Sequence, residues 1–289
     1  MARLLHRNVT VTDLDASVRF YQHGLGFAPE EESKLPGGYS PLLGTNHVDA
    51  RVAHLQNGKG VALALTQFVA PSPVGSRERC RFDHFGYTHL AFYVDSMEAA
   101  AARLEAGGGT VLHHTHARYD AAGVEMLYGL DPDGVRIELM TGPGIPAAFS
   151  HSGLCVDSIA AALPFFEALG FAPEESFDFS EPLEWTAKIT ETPGLRQKVQ
   201  MIRNAHRDTL ELLEIIHPAP RSRGAMPQLH QFGFNGMSFS LEDADKTAER
   251  LQALGGLFPK ELCITVAGNF VRHGATPWDT RLELIGPAH

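Results

Sequence analysis

The sequence has no apolar run approaching the roughly 20 residues of a membrane-spanning helix, so no such span is expected. Cysteine is scarce. Cys80, Cys155 and Cys263 are odd in number and far apart, and no CxxC pair exists. That excludes a disulfide framework and the usual cysteine zinc motifs, and it fits a reducing, cytoplasmic compartment. Positive charge is in deficit, with 24 Lys and Arg against 34 Asp and Glu, a net charge of -10. Nucleic acid and anionic membrane surfaces, which need a basic face, are disfavoured as partners. The opening Met1-Ala2-Arg3-Leu4-Leu5-His6-Arg7 lacks the apolar core of a signal peptide. What is present is a chain of 289 residues, 44% hydrophobic and 20% charged, with 15 histidines. The length suits about two domains with ordinary cores.

Internal repeats organise the chain. Leu25-Gly26-Phe27-Ala28-Pro29-Glu30-Glu31 recurs letter for letter as Leu169-Gly170-Phe171-Ala172-Pro173-Glu174-Glu175. Phe85-Gly86-Tyr87 answers Phe232-Gly233-Phe234, and Ile137-Glu138-Leu139-Met140 answers Leu282-Glu283-Leu284-Ile285. The chain is thus a duplication with halves at 1–145 and 146–289, joined at Pro143-Gly144-Ile145-Pro146. Each half divides again. An alternating strand from His6 to Val11 leads into an amphipathic helix whose Leu14, Val18 and Tyr21 share a face, with Asp13 or Asp15 as its cap. A strand from His89 to Val94 leads into an Ala-rich helix that Gly107-Gly108-Gly109 stops. Further strands are expected near 51–56, 61–67, 124–128 and 135–141. The unit is strand, helix, then about three strands, four times over. Each unit is too small for a good core alone, so pairing is expected.

Side chains alternate between the faces of a strand. Val9 and Val11 point one way, onto the helix, and His6, Asn8 and Thr10 the other. Leu90, Phe92 and Val94 leave His89, Ala91 and Tyr93 opposite. Val135, Ile137 and Leu139 leave Arg136, Glu138 and Met140 opposite. If the two units of a half curl into one cup, His6, His89 and Glu138 converge. Two imidazoles and one carboxylate leave three open positions on an octahedral metal, which suits Fe(II) or Mn(II).

Three segments resemble the vicinal oxygen chelate superfamily of glyoxalases, bleomycin-resistance proteins and type I extradiol dioxygenases. They are Leu4 to Leu14, Thr88-His89-Leu90-Ala91-Phe92-Tyr93-Val94-Asp95, and Asp131-Pro132-Asp133-Gly134-Val135-Arg136-Ile137-Glu138-Leu139. The resemblance implies an α+β fold of four βαβββ modules. They would pair into two glyoxalase-like domains, each a curled mixed sheet forming a cup with helices outside. Residues 1–145 would hold the metal and residues 146–289 would be a copy degenerate in ligands. The superfamily's ligand positions fall on His6, Ala64, His89 and Glu138 in the first half. Alanine cannot coordinate, and the remaining triad with four modules is most similar to two-domain extradiol enzymes. The second half offers His151, Glu211, Gly236 and Glu283, so His151, Glu211 and Glu283 form a possible second or relic site.

The resemblance implies an Fe(II)- or Mn(II)-dependent ring-cleavage dioxygenase acting on a catechol or hydroquinone with O2, in a homo-oligomer. Tyr128 is the candidate hydrogen-bond donor and His84 the candidate base. Asn8, Tyr93 and Met140 are candidate pocket residues. His113, His114 and His116 lie where a catalytic histidine could be supplied, although such a cluster is more often a solvated loop. Two alternatives use the same scaffold. One is a metal-dependent isomerase, epimerase or thiol transferase. The other is a nonenzymatic antibiotic-binding protein.

Overall fold

The computed structural model describes residues 2–58, 61–76, 81–222 and 227–287. Cys80 lies outside the described residues, and Cys155 and Cys263 are free thiols. No helix among the described residues is long and apolar enough to cross a membrane.

Four βαβββ modules follow one another. The first comprises β1 (Arg3–Val11), α1 (Leu14–Leu25), β2 (Ala28–Lys34), β3 (Asp49–Gln56) and β4 (Ala62–Ala70). The second comprises β5 (Gly86–Tyr93), α2 (Met97–Ala106), β6 (Thr110–Val111), β7 (Ala117–Tyr119), β8 (Val124–Leu130) and β9 (Arg136–Thr141). The third comprises β10 (Ala148–Val156), α3 (Ile159–Glu167), β11 (Phe171–Phe179), the added helix α4 (Glu184–Ile189), β12 (Arg196–Asn204) and β13 (Thr209–His217). The fourth comprises β14 (Gly233–Ser240), α5 (Ala244–Ala253), β15 (Cys263–Val266), β16 (Asn269–Ala275) and β17 (Arg281–Pro287). The same chemistry starts each module helix. Asp13, Ser96, Ser158 and Asp243 cap α1, α2, α3 and α5, each accepting a backbone N–H of the first turn. Gly26 ends α1 with a φ of 72°, a left-handed conformation that costs glycine little.

The strands form two sheets. One has the order β11-β12-β13-β10-β5-β9-β8-β6, with β7 also paired to β8. The other has the order β15-β16-β17-β14-β1-β4-β3-β2. Module two therefore pairs with module three through the antiparallel β5–β10 contact, and module one with module four through β1–β14. The two modules of residues 1–145 do not share a sheet, and neither do those of residues 146–289. Both cups are assembled across the halves, which corrects the expectation that each half makes its own.

The connections explain this pairing. Residues 142–147 join β9 to β10 within one sheet, a short loop that keeps modules two and three together. Longer segments, 71–85 and 218–232, carry the chain between sheets, and they hydrogen-bond to each other. Val74 N–H donates to the His230 carbonyl at 3.0 Å, and Phe85 N–H to that of Arg221 at 3.0 Å.

One core runs under the helices of both sheets. The helix residues Phe20 and Phe165 are both fully buried, each contributing on the order of 1.5–3 kcal/mol. The sheets are tied by the stacked rings of Tyr87 and Phe234, at 4.2 Å, and by buried Arg7. From β1, Arg7 donates to the Ser152 hydroxyl on β10 at 3.1 Å and lies 4.6 Å from the Phe149 ring. A second apolar cluster, including Phe82, Met126, Met140, Val199 and Leu213, lines the inside of the nine-stranded cup.

Candidate metal centre

The two central strands of the nine-stranded sheet each aim one histidine into the cup. The strand beside each adds one glutamate. His89 comes from β5, His151 from β10, Glu138 from β9 and Glu211 from β13. His89 Nε2 lies 3.1 Å from His151 Nε2, 3.3 Å from Glu138 Oε2 and 3.4 Å from Glu211 Oε2. His151 Nε2 lies 3.6 Å from Glu138 Oε2 and 3.5 Å from Glu211 Oε2.

The spacings among His89, His151 and Glu138 fit a shared cation. Ligands about 2.1 Å from one metal lie about 3.0 Å apart at right angles and about 3.4 Å apart at the tetrahedral angle. His89, Glu138 and His151 form a buried cluster with metal-binding spacing, and Glu211 reaches both imidazoles. Each ring nitrogen facing away from the centre has a neighbouring hydroxyl. His89 Nδ1 is 2.9 Å from Thr88 Oγ1, and His151 Nδ1 is 2.9 Å from Ser150 Oγ. With Nδ1 donating to the hydroxyl, each Nε2 turns its lone pair to the centre.

Charge inside the cluster dominates its titration. Burial alone would push the His151 imidazole down, but the Glu211 and Glu138 carboxylates raise it to about 10. Burial alone would raise Glu138, but His89 and His151 bring it down to about 2. Tyr128 stands opposite Glu138 in the β8–β9 ladder, its ring 5.7 Å from that of His89. Burial and the nearby Glu138 and Glu211 charges hold its phenol well above the usual range, so it stays protonated.

The centre opens into a cavity of about 490 Å³. Tyr93, Tyr128 and Met140 line it, as do Phe177, Phe179 and Trp185 from the β11–α4 segment. Glu191, just past α4, has a φ of 54° and anchors this wall. Its carboxylate receives the Arg136 guanidinium at 3.0 Å and lies 2.8 Å from His114 Nε2.

Other sequence candidates lie elsewhere. The triad of His6, His89 and Glu138 does not assemble, because His6 is on β1 in the other sheet. There it packs on His54, with ring centroids 4.6 Å apart. Asn8 is in that second cup too, donating to Ser238 Oγ at 2.9 Å. The grouping of His151, Glu211 and Glu283 also divides, since Glu283 lies on β17. His84 lines a separate cavity of about 330 Å³ and sits 3.2 Å from Asp83. It is not among the residues around the metal cavity, so it is not placed to act as a base there. His113, His114 and His116 sit on the surface, against Glu105, Glu191 and Glu125.

The second cup has a different interior, a cavity of about 370 Å³. Its ligand positions carry His6, Ala64, Gly236 and Glu283. Arg281 fills the space beside Gly236, where an added Cβ would lie 2.7 Å from Nη2. Its guanidinium donates to Glu283 Oε1 at 2.5 Å and to Asn235 Oδ1 at 3.0 Å. A resident side-chain cation thus compensates the carboxylate in this cup.

Sequence reasoning named His151 and Glu211 but assigned them to the wrong partner. A hydroxyl residue stands before the histidine in Thr88-His89 and Ser150-His151, whereas Leu5 precedes His6. That signal marks the two histidines that belong together.

Two units of curled sheet built from paired βαβββ modules, with His and Glu ligands on corresponding strands, define a vicinal oxygen chelate architecture. The model of the Glyoxalase/Bleomycin resistance protein/Dioxygenase superfamily matches residues 3–139 and again 148–284, and the chain belongs to that superfamily. It is similar to a 2-epi-5-epi-valiolone epimerase from Actinomyces sp, at 30% identity over 155 residues, 50% of this chain and 84% of that protein. Its fold is similar to that of glyoxalase I from Zea mays, with a TM-score of 0.68 at 17% identity over 99% of this chain and 92% of that one. A putative dioxygenase from Bacillus subtilis subsp. subtilis str. 168 has a TM-score of 0.57 at 12% identity, over 99% and 85%. At these identities the solved structures speak to fold alone.

Proposed function

We propose that the protein is a divalent-metal-dependent isomerase or epimerase acting on a small carbonyl compound. The observation that carries this reading is Glu211, whose carboxylate lies within 3.5 Å of both histidines and completes a set of two His and two Glu. A three-ligand triad leaves an octahedral ion three open positions, enough for two catechol oxygens and dioxygen. Four protein ligands leave two, enough for two substrate oxygens only. A cation held here would act as a Lewis acid on the substrate's carbonyl oxygen and lower the acidity barrier of the adjacent C–H.

The chain's own groups account for the proton transfers. In the strand order β13-β10-β5-β9, Glu211 and Glu138 reach the centre from opposite sides of the histidine pair. One carboxylate takes the proton from the carbon next to the carbonyl, and the other returns one. Return to the opposite face of that carbon epimerises it, and return to its neighbour isomerises the carbonyl. Tyr128, held protonated, is a hydrogen-bond donor beside Glu138. Phe82, Met126 and Leu213 give the cavity an apolar lining beside these groups. The relative named as an epimerase agrees in class with this chemistry.

The competing reading is a ring-cleaving dioxygenase using Fe(II) or Mn(II). The test is metal-reconstituted protein incubated without oxygen in D2O with a panel of α-hydroxyketones, followed by proton NMR. Solvent deuterium at the carbon next to the carbonyl, lost in Glu211→Gln, is expected with Ni, Co, Mn or Zn. Oxygen uptake with ring opening of catechols, and no deuterium exchange, would overturn the proposal.

A further inference from the structure

Along β12, Gln197, Val199, Met201 and Arg203 all face the metal cavity, as the alternation of strand side chains requires. Their partners on β13 fix distances from the metal centre. Met201 stands opposite the ligand Glu211, Val199 opposite Leu213, and Gln197 opposite Ile215. Gln197 is therefore four residues from the Glu211 row, about 13 Å along the strand. On its other side Gln197 pairs with Phe179 of β11. Phe179 in turn packs edge-on against Trp185 at 5.1 Å, and Tyr119 lies 5.1 Å from Trp185. The cavity thus has a metal end and a distal end walled by aromatic rings.

One feature of the distal end and one of the cavity as a whole point to a ligand. Gln197 is 6% exposed, and its Oε1 is buried with no hydrogen-bond partner. A buried amide acceptor without a donor is costly in a folded protein. The charge lining the cavity is also one-sided. Among the described residues, Arg203 is the only Arg or Lys that lines it, and Glu174 pairs with it at 3.0 Å. Glu138, Glu175 and Glu211 supply negative charge. A phosphate or carboxylate tail would find no unpaired cation here.

We infer that Gln197 is a specificity residue that accepts a hydrogen bond from an O–H or N–H group at the far end of an uncharged substrate. The substrate's ring or apolar body lies against Phe179 and Trp185. This deepens the isomerase reading and rests on it for the carbonyl end. It excludes anionic thiol or nucleotide conjugates, whose charged handles need basic side chains.

The experiment is calorimetric titration of the Ni-reconstituted protein with three probes that share one chelating end. They are α-hydroxyacetophenone, its para-hydroxy derivative and its para-carboxylate. The para-hydroxy probe is expected to bind about tenfold tighter than the parent, because it supplies the donor that Gln197 lacks. The carboxylate is expected to bind at least tenfold more weakly. In Gln197→Leu the hydroxy preference disappears while affinity for the parent is retained. The inference is overturned if the preference survives in Gln197→Leu, if the carboxylate binds best, or if no probe binds. Titrating metal-free protein separates the two readings. Equal affinity with and without Ni would defeat chelation at the metal end, and the effect of Gln197→Leu on the hydroxy preference would still be measured.

Discussion

Replacing Gly153 by alanine should disable the metal centre with one methyl group. Gly153 on β10 stands directly opposite His89 on β5. A Cβ there would lie 2.3 Å from His89 Cε1, 2.5 Å from its Nδ1 and 2.5 Å from the Thr88 hydroxyl. Carbon atoms pack comfortably at about 3.5–4.0 Å, so the ring must retreat by about 1 Å or more. The retreat also breaks the contact between Nδ1 and Thr88 that orients the imidazole. Metal–ligand distances tolerate only about 0.2 Å, so His89 can no longer share a cation with His151, Glu138 and Glu211. Perturbing such orienting contacts lowers metal affinity about 10- to 100-fold, and moving a ligand belongs at the upper end. Overpacking should cost about 1–3 kcal/mol in fold stability as well. The assay is competition for Zn against a chromophoric chelator, with thermal unfolding in EDTA reporting the metal-independent part. Gly37→Ala is the control, because an added Cβ there meets nothing within 4 Å. Zn affinity within twofold of wild type in Gly153→Ala would refute the assignment of His89 to the centre.

Three further outcomes are expected. His6→Gln should leave the metal content of purified protein unchanged and Glu211→Gln should lower it, as read by elemental mass spectrometry. Metal loss in His6→Gln alone would contradict the pairing of modules two and three. Arg281→Met should destabilise the fold by about 3–5 kcal/mol, because it strands the buried Glu283 carboxylate. A shift below about 1 kcal/mol in urea unfolding would contradict this. Burial lowers His273 from 6.5 to about 4. Between those values the unfolded chain binds a proton that the folded chain refuses, so stability falls as pH drops from 6.5 through 4. The loss is about 3 kcal/mol in full. Lowered to about 4, chiefly by burial, His6 has the same sign. His273→Gln should flatten the decline measured by urea midpoints across that range, and an unchanged slope would count against the argument.

The modules were legible in the sequence because their signals are local. Strand alternation, a helix cap such as Asp13, and the Gly stop at 107–109 each act within a few residues. Alternation also put His6, His89 and Glu138 on inward faces, and the ligand positions of the resemblance added His151 and Glu211. Which module pairs with which is a long-range property, and strand periodicity does not carry it. His6 and His151 occupy equivalent places, so either suits a partner carrying His89 and Glu138. Donor types could have decided. Pairing within halves gives each cup three ligand-type residues, one cup spoiled by Ala64 and the other by Gly236. Pairing across halves gives one cup four and the other two.

The cross-strand neighbours give a physical reason for that uneven division. Gly153 and Asn8 are equivalent positions, as are His89 and Gly236. In one cup the facing pair is Gly153 and His89, and in the other it is Asn8 and Gly236. Each pair keeps one glycine, because the centre of a tightly curled β–β junction has room for one inward side chain. Where Asn8 takes that room, a histidine at 236 has none, and Arg281 fills what is left. The guanidinium then meets Glu283 at 2.5 Å, and the carboxylate is held at about 2 by Arg281 and His273 against the upward push of burial. A buried Glu283 needs a positive partner whichever residues surround it. In the other cup His89 and His151 face Glu138 and Glu211, and under the proposed function a bound divalent cation would meet the requirement there. In the second cup it is met by an ion pair with Arg281, a side chain of the same strand.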